Sequence, residues 1–190
     1  MKDLLSGFKG AMGQQAISML GKQFGVNDSK TNGIIDMALP MLLSGLGRNA
    51  ANESGADALA NALDEDHDGS IMDKIQDVIV GKEDKQEEGN KILKHIFGDK
   101  EPAVLGALEK SSGENSSNVL GMLSTLAPLL MGFLGDQKKS QGLNTMDLAK
   151  MLQGQQAQAD NQLGGLSKLL DMDGDGSIMD DILNLGKKFF

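Results

Sequence analysis

Cysteine is absent from the 190 residues, as are tryptophan and tyrosine, and only three prolines occur. Without cysteine there is no disulfide, no thiolate ligand and no thiol nucleophile. Six phenylalanines make up the whole aromatic complement, 3% of the chain. A core must therefore be filled by Leu, Ile, Met and Ala, and the 12 methionines point to adaptable packing. Nucleic-acid binding is disfavoured, because no aromatic platform exists for stacking and no stripe of Lys or Arg marks a face. No run of about 20 apolar residues exists to span a bilayer. The first nine residues lack the continuous apolar core of a secretory leader. These absences make a soluble cytoplasmic protein the expectation, with export by a leaderless route as the other option.

What is present in excess is acid, and it is local. The net charge is −9. Ten of the 27 acids lie in two short stretches of nearly the same spelling, and the other 17 balance the 18 bases. The first stretch runs from Asp64 through Asp66, Asp68, Gly69, Ser70, Ile71, Met72 and Asp73 to Ile75. The second runs from Asp171 through Asp173, Asp175, Gly176, Ser177, Ile178, Met179 and Asp180 to Ile182, 107 residues later. Carboxylates at the first, third and fifth places followed by Gly describe the first half of an EF-hand-like calcium loop. Calcium takes six to eight oxygens, alternate Asp residues can turn several inward, and Gly allows the sharp turn. The full pattern ends on a bidentate Glu at the twelfth place, where this chain has Ile75 and Ile182 and instead carries Asp at the tenth. The expected ligands are Asp64, Asp66, Asp68, Asp73 and the Ser70 carbonyl for one ion. Asp171, Asp173, Asp175, Asp180 and the Ser177 carbonyl serve a second. Loops lacking the last carboxylate belong with weaker sites, with Kd about 10⁻⁵ to 10⁻³ M.

A metal-free alternative is that Ser70-x-x-Asp73 and Ser177-x-x-Asp180 only cap the helices that follow. It accounts for the Gly, Ser and tenth-place Asp but not for three alternating Asp before them. Of the two histidines, His67 stands at the fourth loop place and is expected in solvent, and His95 is expected to cap or pack near a helix end. No nucleophile elbow, phosphate-cradling loop or zinc spacing occurs. The expected function is therefore non-enzymatic: a calcium-binding helical module with a structural or protein–protein assembly role, self-association included.

Strand signals are absent, and the apolar residues recur at helical spacing. Leu4, Leu5, Phe8, Ala11, Met12, Met19, Leu20 and Phe24 form one stripe, closed by Gly25 to Ser29, with Ser29 as the expected cap of the next helix. The segment from Ile34 to Gly47 is apolar almost all round, which predicts a central buried helix, kinked or broken at Pro40. Gly25, Asn27, Ser29, Gly33, Pro40, Leu42, Leu46 and Gly47 recur as Gly113, Asn115, Ser117, Gly121, Pro128, Leu130, Leu134 and Gly135. Eight identities in 23 positions predict an internal duplication. The reading is an all-α fold of about ten short helices in two related halves, residues 1–88 with loop 64–75 and 89–190 with loop 171–182, packed as one unit.

Gly89-Asn90-Lys91-Ile92-Leu93-Lys94-His95-Ile96-Phe97-Gly98, Gly113-Glu114-Asn115-Ser116 and Leu126-Ala127-Pro128-Leu129-Leu130-Met131 carry a resemblance. With these elements the chain resembles the YidB-like family of bacterial proteins, a domain of unknown function numbered nine-three-seven, from about Leu4 to Leu183. The resemblance implies an all-helical bacterial protein and brings no reaction with it.

Overall fold

The computed structural model describes residues 4–82 and 85–162. Within them all regular structure is helical: α1 (Leu4–Gln23), α2 (Asp28–Asn49), α3 (Glu53–Glu65), α4 (Ile75–Ile79), α5 (Gln86–Phe97), α6 (Glu101–Ser112), α7 (Ser116–Gln141) and α8 (Thr145–Gln162). Two 3-10 turns, Ser70–Lys74 and Gly98–Lys100, lead into α4 and α6.

Asparagine starts four of these helices. The side chains of Asn27, Asn52, Asn115 and Asn144 each accept the amide three residues on, at 2.8 to 3.0 Å. Each bond satisfies one of the amides that a first helical turn leaves without an intrahelical partner. The start of α2 is thus Asn27 and not the expected Ser29. Both residue types cap well, and the Thr31 hydroxyl returns to the Asn27 carbonyl at 2.9 Å once the turn starts there.

The first helix contains a break that the apolar stripe conceals. Gly13 has φ 73° and ψ 156°, outside the helical region. Before it, Leu4, Phe8 and Met12 are buried at a spacing of four; after it, the buried set is Ala16, Ile17, Leu20 and Gly21. Ala11, expected on the stripe, is exposed.

Helices α2 and α7 are the two long buried elements, as expected of the duplicated segments. Each follows a glycine of positive φ (69° at Gly25, 65° at Gly113), starts at an extended Asn and carries a proline thirteen residues beyond it. Neither helix ends there: both run through Pro40 and Pro128. Burial on all sides holds each proline in place despite the hydrogen bond it removes. α2 packs chiefly on α8 and α7 chiefly on α5, and the two meet each other over only a short stretch. One continuous hydrophobic cluster joins residues from Leu4 to Leu152, with Phe8 set edge-on against Phe133 at 5.6 Å between ring centres. α7 is the one helix among the described residues long and apolar enough to cross a bilayer, and 83% of its apolar window is buried against the rest of the protein.

Candidate functional site

The first acidic loop is laid against the C-terminal half of α7. Gly132 faces Ile71, and Gly135 faces the His67 carbonyl so closely that a Cβ on Gly135 would collide with it. Small residues on α7 therefore let loop backbone sit directly on a helix. Asp64 lies in the last turn of α3, Asp66 is its C-cap, and the chain turns at Gly69, where φ is 97° and ψ −13°. A side chain there would be strained, and the site is tight against Asp136 as well. Helical structure flanks the loop on both sides, and a left-handed glycine makes the sharp turn at its sixth place.

The carboxylates are less gathered than their spacing predicts. The Lys138 ammonium donates to both oxygens of Asp64, at 2.5 and 2.7 Å. Asp68 accepts the Ser70 amide at 3.0 Å. That amide, then the Ser70 hydroxyl, with Lys139 assisting, holds the Asp68 carboxyl below its usual range. Asp73 lies exposed in the 3-10 turn. No cluster of three or more His, Asp or Glu forms among the described residues. The capping alternative meets its own difficulty: neither the 3-10 turn nor α4 has a side-chain cap, so Ser70 and Asp73 do not act as a capping box here. Asp68 takes that part locally instead. The second set, Asp171, Asp173, Asp175, Ser177 and Asp180, lies outside the described residues.

His67 departs from its expected place in solvent and is 8% exposed. Its backbone docks on Gly135, which draws the whole residue inward. The imidazole makes no hydrogen bond among the described residues. Glu88 Oε1 is 3.7 Å from its Nδ1, beyond hydrogen-bond reach. Burial lowers the His67 pKa below its ordinary 6.5; Glu88 and Asp66 pull upward against it, and Lys85 pushes the same way as burial. A histidine kept neutral by the fold stabilises it above the unfolded pKa, because below that value the unfolded chain binds the extra proton. Acidification from pH 7.5 through about 6.5 and below should therefore lower the melting temperature of the wild type more than that of His67→Asn. Parallel pH–melting curves for the two would count against this assignment.

Sequence spacing gave no sign of Lys138, Asp136 or Glu88, which α7 and α5 bring to the loop from far along the chain. His95 is exposed in the last turn of α5, and its carbonyl accepts from Asn49 at 3.0 Å. Gly89 and the segment after it, which carried the family resemblance, form this helix.

Residues 6–137 match the model of a family described as bacterial protein of unknown function (DUF937). Neither the curated proteins nor the solved structures compared with the chain gave a match. The match spans well over half of the 190 residues, and the chain belongs to that family.

Proposed function

We propose that this member of the family is a non-enzymatic, calcium-responsive helical module with a structural or protein–protein assembly role. The observation that carries the reading is the first loop's backbone: Asp-x-Asp-x-Asp-Gly, flanked by helical segments, with Gly69 in the left-handed turn at the sixth place. The same spelling recurs at Asp171 to Gly176. In this proposal Lys138 is a stand-in cation. It neutralises Asp64 while no ion is bound and withdraws when calcium draws Asp64, Asp66, Asp68 and Asp73 together. Asp64 is 60% exposed and Lys138 14%. The Asp64 carboxylate is open to water, so a divalent ion can reach it and compete with the Lys138 ammonium. The duplicated Gly-x-Asn caps and buried prolines support two related halves, one loop to each.

A second reading is favoured by the Lys138–Asp64 pair itself: a metal-independent scaffold in which the acidic loop is satisfied by the protein alone. Calorimetry with calcium separates them. The proposal expects saturable binding, a melting temperature lowered by chelator, and magnesium as a poor substitute because it demands tighter octahedral geometry. Asp73→Asn and Asp180→Asn should each weaken one site by about tenfold or more, and Lys138→Met should strengthen the first. Identical melts with and without millimolar calcium would leave the scaffold reading in possession.

A further inference from the structure

α2, α3, α5 and α7 line a cleft of about 320 Å³, walled by Leu46, Leu59, Ala62, Ile92, Ile96 and Met131. An apolar cavity of about 150 Å³ accepts benzene, so this volume suits roughly a dozen non-hydrogen atoms. Its polar content is small and specific. His67 lines the cleft and also a neighbouring polar pocket of about 190 Å³ that opens beside Asp66 and Ser70. That imidazole is more than nine-tenths buried and has no hydrogen-bond partner among the described residues. A ligand hydroxyl or carbonyl entering the cleft would supply this buried ring with a hydrogen-bond partner.

We infer that this cleft is a binding site for a small, neutral, mostly hydrocarbon molecule whose single hydroxyl or carbonyl meets His67. The charges around it select the neutral head. An anionic head would face Glu88, 3.7 Å from the imidazole. A cationic one would compete with Lys85, which already holds Glu88 at 2.6 Å. Lys91 at the rim pairs with Glu87 at 2.8 Å, with both side chains largely in solvent. His67 stands inside the loop of the calcium proposal, so the titration is run in chelator and its outcome is read apart from calcium binding.

The test uses the full chain, labelled at methionine methyls, titrated with 1-octanol and separately with toluene. Met131 is 5% exposed and lines the cleft, so its methyl signal reports entry. Saturable shifts of Met131 by 1-octanol are expected. Ala62→Leu, which fills the wall, should weaken binding by about tenfold or more. Ala58→Phe at the exposed rim does the same with less risk to folding. His67→Phe should weaken 1-octanol at least tenfold relative to toluene. The inference fails if no saturable shift occurs, or if Ala58→Phe and Ala62→Leu bind as the wild type does. It fails also if His67→Phe changes both probes alike. A Met131 shift that follows protein concentration without octanol, and disappears in Ala58→Phe, would put a second copy in the cleft and overturn it.

Discussion

Gly89→Ala should destabilise the protein by about 3 kcal/mol or more, at or beyond the upper end of what overpacking usually costs. Gly89 is buried on α5 where that helix crosses α7, and an added Cβ would run into the Ser124 carbonyl, carbonyl carbon and Cα. Main chain cannot rotate aside as the end of a side chain can. The two helices must therefore separate, and α5 carries Leu93, Ile96 and Phe97 into the core. Around the same crossing the Ser124 hydroxyl bonds to Asn90, so separation also exposes a polar contact. The control is Gly106→Ala on α6, where a Cβ would meet nothing within 4 Å. That change should stabilise by up to about 1 kcal/mol, the usual gain of Ala over Gly in an open helix. Urea midpoints for the two variants decide it. A Gly89→Ala midpoint close to wild type would mean that α5 and α7 do not approach at this residue.

Leu42→Ala and Leu130→Ala should each cost about 2–5 kcal/mol. The residues occupy the same place two positions after the proline in α2 and α7, and they are 0% and 1% exposed. Each substitution removes buried methyl groups from the enclosed middle of a long helix and leaves a cavity that its neighbours cannot readily close. The form of the unfolding curve carries further information. Because one hydrophobic cluster joins the helices from α1 to α8, both variants should shift a single cooperative transition. Two separate transitions, with Leu42→Ala moving only one and Leu130→Ala only the other, would show that the halves melt independently.

The helical class and the two buried helices were legible in the sequence for a physical reason. Apolar periodicity and the absence of strand signals are local, and the middle of α2 and of α7 is apolar almost all round because residues 38–47 and 122–135 are buried on every side. Gly45, Gly89 and Gly135 are sites of close approach, where an added Cβ would collide with a neighbouring element. Helix starts were less legible: Asn27 and Ser29 are both able caps, and the Thr31 hydroxyl bond that accompanies the Asn27 start forms only once the turn closes. The phase change at Gly13 was hidden because an apolar stripe reads much the same across a break.

The chain alone determined the spelling of the loops, the glycine at their turn and the concentration of negative charge beside it. Only the tertiary structure decided what surrounds the first of them. Lys138 reaches Asp64 across 74 residues, and Gly135 draws the His67 backbone onto α7. Glu88 arrives on a helix that starts beyond the loop's own exit. None of these has a local signature, because a charged residue on a helix surface reads as solvated whatever lies across from it. The fourth-place histidine reads as exposed by loop position, but the crossing of loop and helix buries it. That placement, set by two glycines and a helix packing from afar, is what turns an ordinary polar side chain into the unpaired group between two pockets.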